Sequence, residues 1–180
     1  GSPECVLRMC ALTDTERDAA ESSITEVQKK AMRVIAFAHK ELETMKDYED
    51  EVCHNEMETD MSFDGFVAIS DPLRGDVYAA IHSCRSAGIA LKILTGDNIV
   101  TATAIADELH LLDNGKIAIE AAKIDEMSDD ELSKCLPDIA VIARSTPTVK
   151  MRVVKLLKAA GNVVAVTGDG INDAPALKNA

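Results

Sequence analysis

Asp169 and Asp173 flank Gly170 in Thr167-Gly168-Asp169-Gly170-Ile171-Asn172-Asp173. Two carboxylates on a glycine turn offer the hard oxygen donors that Mg²⁺ takes together with water and phosphate oxygens. Thr95-Gly96-Asp97-Asn98 sets a hydroxyl beside a glycine just before an expected helix, where backbone N–H groups can meet an anion. Lys150, three residues after Pro147, falls in the first turn of another helix and supplies a compact positive charge. Hard carboxylates, anion-binding N–H groups and a lysine together suit phosphoryl transfer, where catalysis is mostly positioning and charge neutralisation. Taken singly, Gly-Asp-Gly and Thr-Gly-Asp read as turns with helix caps, Lys150 as a surface lysine and Asp173 as an N-cap. Their order along the chain, each at the end of an expected strand, carries the reading. The phosphate signatures Gly-x4-Gly-Lys-Ser/Thr and Gly-x-Gly-x-x-Gly do not occur, nor does a Gly-x-Ser-x-Gly elbow.

The elements that must position these groups follow from the apolar pattern. Runs at 66–70, 89–95, 139–143 and 162–167 read as strands, and 75–87, 99–111, 129–135 and 148–160 as helices, with another starting at Ala174. Strands that alternate with helices and are apolar on both faces indicate a parallel sheet covered on both sides. Ligands then bind beyond the carboxyl ends of the strands. The polar exits Ser70-Asp71-Pro72-Leu73-Arg74, Thr95-Gly96-Asp97-Asn98, Arg144-Ser145-Thr146-Pro147 and 167–173 are expected to converge on one edge. Ahead of this region, Ser2-Pro3-Glu4 reads as a capped helix start. A helix is expected over 15–31, and 32–39 fits either its continuation or a strand. Residues 46–60 hold seven acids and read as a solvated loop, because their spacing matches no calcium loop.

The 180-residue chain carries a net charge of −12, unevenly: 16 acidic and 7 basic side chains in residues 1–66, against 15 and 12 in residues 67–180. The shift suggests two units joined near Asp64-Gly65. No basic face is legible, which speaks against nucleic acid as a partner. Five cysteines, an odd number without a Cys-x-x-Cys pair, fit a reducing compartment and small buried side chains better than a disulfide or zinc framework. There is no apolar run of the ~18 residues a membrane span needs, so the chain itself is expected to be soluble.

Thr167-Gly168-Asp169-Gly170-Ile171-Asn172-Asp173-Ala174-Pro175-Ala176-Leu177 closely resembles the signature of P-type ATPases. Asp71-Pro72-Leu73-Arg74, Thr95-Gly96-Asp97-Asn98 and Ala143-Arg144-x-x-Pro147-x-x-Lys150 follow that family's other motifs in the family's order. Gly1-Ser2-Pro3-Glu4 resembles its Lys-Gly-Ala-Pro-Glu element, and Arg33 the arginine before an apolar strand of the nucleotide-binding domain, which favours the strand reading of 32–39. The resemblance implies an α/β fold: residues 1–66 as the C-terminal part of an α+β nucleotide-binding domain, and residues 67–180 as a Rossmann-like, haloacid-dehalogenase-type phosphorylation domain. It implies Mg²⁺ and ATP as cofactors. Asp169 and Asp173 would serve the metal and Asn172 the phosphate and metal site. Thr95 and Gly96 would hold the phosphoryl group, Lys150 would neutralise it, and Asp97 would lie near metal and nucleotide. Arg33 and Arg144 would contact ATP, and Asp71 and Arg74 would form the hinge between domains.

The family phosphorylates the aspartate of Asp-Lys-Thr-Gly-Thr, a motif absent from this sequence. The resemblance therefore implies a fragment at the cytoplasmic face of a membrane pump, inactive alone, lacking the phosphorylated-Asp strand, the last strands and the membrane helices that bind the transported cation. The motifs look most like those of calcium pumps. Two alternatives remain at this point: a soluble phosphatase of the haloacid-dehalogenase type, or a non-catalytic nucleotide- or Mg²⁺-binding module. The first should carry its own Asp-x-Asp motif, whereas the candidate strand end reads Ser70-Asp71-Pro72.

Overall fold

The computed structural model describes residues 1–41, 57–70, 72–168 and 170–180. Asp71, Asp169 and residues 46–56 of the acidic stretch lie outside the described residues. The chain forms two compact units, Gly1–Asp71 and Pro72–Ala180.

The first unit packs helices α1 (Pro3–Met9) and α2 (Asp14–Gln28) with strands β1 (Arg33–His39) and β2 (Ser62–Ile69). Ser2 caps α1 by accepting the Cys5 N–H, with Pro3 in the first turn. Thr13 and Glu16 close a reciprocal capping box on α2. The segment that periodicity left open is a strand: β1 pairs antiparallel with β2, Arg33 opposite Ile69 and His39 opposite Ser62. The register slips between Phe37 and Ala38, where Gly65 takes φ 128°, a conformation that only glycine adopts readily. Leu7, Ile24 and Val34 form the core beneath this hairpin.

This pairing corrects the sequence-based boundary. A division at 66/67 would cut through β2, whose ladder runs unbroken from Gly65 to Ile69. The 66–70 run is thus not the first strand of the parallel sheet; its partner is β1, and the division falls at Asp71/Pro72.

The second unit contains α3 (Val77–Ser86), β3 (Ile93–Leu94), α4 (Ile99–Glu108), β4 (Ile117–Glu120), α5 (Ala121–Asp125), α6 (Asp129–Cys135), β5 (Ile139–Ala143), α7 (Pro147–Ala159) and α8 (Ala174–Asn179). The three strands form a parallel sheet in the order β3-β5-β4, giving the expected α/β architecture. All five residues of β5 are buried. Ala140, Val141 and Ala143 belong to one buried cluster with Ala102 and Ala106 of α4. Ile139 and Ile142 belong to a second cluster with Ile124, Leu132, Val149 and Val153 from α5, α6 and α7. Arg152 of α7 locks this side, donating to Asp129 at 2.7 Å and to the carbonyls of Ile124 and Met127 at 2.8 and 2.6 Å.

Three expectations differ from the structure. The run 89–95 is regular strand only at Ile93–Leu94. Residues 162–167 form no strand: no ladder partner stands beside them among the described residues, and Val163 is fully exposed. Apolar composition alone does not make a strand without a neighbour to satisfy its backbone. Conversely, β4 and α5 occupy a stretch where no element was anticipated; four residues give too short a pattern to read.

Leu132 is wholly buried among the larger side chains of this core. Leu132→Ala should therefore cost about 2–5 kcal/mol. Urea unfolding followed by signals of the second unit would measure it; a loss well under 1 kcal/mol would contradict the packing described.

Candidate functional site

The exits of β3 and β5 are stitched together by backbone. Thr95 N–H donates to the Ile142 carbonyl at 3.0 Å, continuing the ladder. Beyond it, Ser145 N–H donates to the Thr95 carbonyl at 2.7 Å and Arg144 N–H to the Asp97 carbonyl at 2.9 Å. Arg144 sits at φ 50°, a left-handed conformation that costs about 1–2 kcal/mol for a residue with a Cβ. The two cross-loop bonds hold it there. Sequence reading had not singled out Ser145, whose hydroxyl is buried without a hydrogen-bond partner among the described residues.

Within the first loop, Thr95 Oγ1 donates to Asp97 Oδ2 at 2.9 Å and accepts the Asp97 N–H at 3.1 Å. Asn98 caps α4 by accepting the Thr101 N–H at 3.0 Å. Thr95, Gly96, Asp97 and Asn98 thus form one tight turn leading into a capped helix, as their spacing indicates. After β5, Thr146 caps α7 by accepting the Val149 N–H at 3.3 Å, and Pro147 opens the helix. Lys150 falls in its first turn.

Lys150 Nζ donates to Asp173 Oδ1 at 2.6 Å, with little of either side chain exposed. The other carboxylate oxygen accepts the Gly170 N–H at 3.3 Å. The Lys150 ammonium first, and then the Gly170 N–H, hold the Asp173 carboxyl below the usual carboxylate range. Gly168 is required by this arrangement: a Cβ there would lie 2.5 Å from the Asp173 side chain. A sequence reading could have found this constraint only by knowing that Asp173 folds back over its own loop.

The structure thus brings together Thr95 with Asp97, and Lys150 with Asp173. Asn172 is exposed on the short 3₁₀ turn Ile171–Asp173. Arg144 extends toward Glu120, Nε to Oε1 3.8 Å. Arg74 is largely exposed beside Asp76 at 3.7 Å. Arg33 belongs to the first unit, as the first residue of β1. Asp71 and Asp169 lie outside the described residues. Of the four exits expected at one edge, the first leaves a strand of the other unit and the fourth follows a segment that is not a strand.

Among the described residues no group of three carboxylate, histidine or cysteine side chains could hold a metal. Mg²⁺ needs only one or two carboxylates besides water and substrate oxygens, so Asp173 with Asp169 is a donor set of suitable chemistry. Each Asp173 oxygen, bonded to one donor, retains a further lone pair.

Comparison with known proteins places these motifs in context. The family of haloacid dehalogenase-like hydrolases matches residues 9–180. A cation-transporting ATPase of Synechocystis is 36% identical across 100% of this chain and 21% of its own length. A calcium-transporting ATPase of Schizosaccharomyces pombe is 40% identical over 91% of the chain and 13% of its own. A calcium-transporting ATPase of Bacillus subtilis is 38% identical over 94% and 19%. The chain therefore spans about a fifth or less of the length of these relatives. Among the described residues no helix is long and apolar enough to cross a membrane.

The ion pair makes a pH prediction. A carboxyl with a lowered folded pKa contributes stability that is complete above its unfolded value, near 3.8, and is lost as pH falls through the folded value. Lys150→Met should raise the Asp173 pKa toward the ordinary range, read by carboxyl NMR titration. Gly168→Ala should do the same by displacing the carboxylate from Lys150. An unmoved Asp173 titration in both variants would refute the pairing.

Proposed function

Because the chain belongs to the haloacid dehalogenase-like hydrolases, we propose that it is the catalytic segment of an ATP-driven cation pump, with calcium its cargo, working through an aspartyl phosphate. The observation that carries this reading is the Lys150–Asp173 pair. Its lysine follows β5, whose exit is bonded to the Thr95 loop. An anion-binding turn, a fixed cation and a carboxylate then stand on loops of one strand edge. The similarity to cation- and calcium-transporting ATPases supports the pump and its cargo.

In this reading the second unit is the phosphorylation domain and the first is part of the nucleotide-binding domain. Thr95 and Gly96 hold the phosphoryl group by hydroxyl and backbone N–H, and Lys150 neutralises its charge. Asp173 keeps Lys150 aimed until a phosphate competes for it. Asp169 and Asp173 hold Mg²⁺, supported by Asn172, with Asp97 close by; the metal, when bound, neutralises charge on phosphate oxygens. Arg33 and Arg144 contact ATP, and the Asp71–Arg74 segment links the two domains. The nucleophile is supplied by a segment carrying Asp-Lys-Thr-Gly-Thr, which these 180 residues do not contain. The transported cation binds in membrane helices of the same pump, and this segment works on the cytoplasmic side.

Mg²⁺-dependent hydrolysis of ATP and of acetyl phosphate by the 180-residue chain should not exceed that of its Asp169→Asn variant. In the full-length pump, ATP should give an acid-stable phosphoprotein, and Lys150→Ala should slow its formation by roughly 10²–10³-fold, the usual effect of removing one transition-state charge partner. Turnover by the chain alone that disappears with Asp169→Asn would place a nucleophile within these residues and favour a soluble phosphatase. Unchanged phosphorylation in Lys150→Ala would remove the lysine from the mechanism.

A further inference from the structure

The opposite edge of the sheet, where β3 and β5 begin, carries a cleft of about 250 Å³ between the end of α4, the turn before β4 and the start of β5. Arg85, Lys92, His110 and Lys116 line it, with Asp113 the one carboxylate among the lining residues. Such a cationic concentration is unusual in a chain of net charge −12.

Part of this charge has a structural use. Arg85 Nη2 donates to the carbonyls of Leu109 and His110, at the C-terminal end of α4. Lys92 Nζ donates to those of Leu136 and Ile139. Cations at helix ends satisfy orphan carbonyls and meet the negative end of the dipole. Carbonyls do not, however, neutralise a full charge. Neither Arg85 nor Lys92 has a carboxylate within ion-pair distance among the described residues. Lys116 reaches Asp138 at 3.4 Å and His110 reaches Asp113 at 3.7 Å, both acids being mostly exposed. Lys92 is set into the protein, and burial, then the neighbouring Lys116 charge, disfavour its ammonium form, with Asp138 opposing them. An anion in the cleft would offset that cost. The guanidinium of Arg85 keeps Nε and Nη1 unbonded among the described residues, donors open to a ligand oxygen.

We propose that this cleft binds a phosphate group between Arg85, Lys92 and Lys116, apart from the loops of the candidate catalytic edge and whatever reaction those loops perform. Leu91 and Leu111 beside the cations leave an apolar wall against which a small ester substituent can lie.

The test is NMR titration of the 180-residue chain at fixed ionic strength, with inorganic phosphate and separately with phenyl phosphate. Saturable shifts are expected at the amides of 89–92, 110–116 and 138–140. Affinity should fall at least tenfold in Lys92→Met and in Arg85→Gln. Arg85 is exposed, so its variant keeps the test decisive should Lys92→Met disturb folding. Tighter binding of the ester would assign the cleft to phosphomonoesters, and equal binding to free phosphate; either supports the proposal. Shifts confined to 95–97 and 168–173, no saturable shift, or shifts unchanged in Arg85→Gln would overturn it.

Discussion

Ile139–Ala143 is buried at all five positions, so β5 meets solvent only through what precedes and follows it. Its side chains are shared between two buried clusters. Ala140, Val141 and Ala143 join one with α4, and Ile139 and Ile142 join the other with α5, α6 and α7. Its two edges are taken by β3 and β4. A strand so enclosed cannot shift by one residue without exchanging its two faces, because successive side chains point oppositely. The register of everything that leaves β5 is therefore fixed by its burial.

What leaves it is the turn Arg144-Ser145 and then α7. The left-handed backbone at Arg144 is the local cost of sending the chain from the sheet into a helix while still bonding to the Thr95 loop. Two main-chain hydrogen bonds, each contributing about 1 kcal/mol net, are of the size needed to offset it. They also mean that the Thr95-Gly96-Asp97 turn is held by its neighbour and not only by its own contacts. Lys150 inherits its place from Thr146 and Pro147, which determine where α7 begins. Positioning thus passes from core to strand, from strand to turn and from turn to charged side chain.

How much of this the sequence disclosed depends on the range of the interaction involved. Helix starts were legible at Ser2-Pro3, and the strand at 139–143 was plain, because caps and fully apolar runs are local signals. The partner of 66–70 was not legible. An apolar run joins whichever strand lies beside it, and that is decided by the chain between the two. For the same reason 162–167 has strand composition without strand structure among the described residues. At the candidate site, sequence order grouped Lys150 with Asp173, yet not that the two would share a hydrogen bond or that Gly168 must lack a side chain. Those are contacts across 23 residues and across a loop, which spacing does not encode.

The Lys150–Asp173 pair also explains how a cluster of charge can persist before any ligand arrives. A lysine held for a phosphate would, if unpaired and largely buried, lose its proton or turn outward to water. Asp173 prevents both by offering one oxygen to Lys150, while the Gly170 N–H occupies the other and fixes its rotation. In the proposed function, a phosphate would bring negative charge to Lys150 and a divalent cation positive charge to Asp173, so each would compensate the partner that the other weakens. The two ligands would then be coupled through one salt bridge: binding either alone would leave an underpaired charge, and binding both would leave none. A site built this way would favour the metal–phosphate pair over its separate components, the selectivity that the proposed phosphoryl transfer with Mg²⁺ requires.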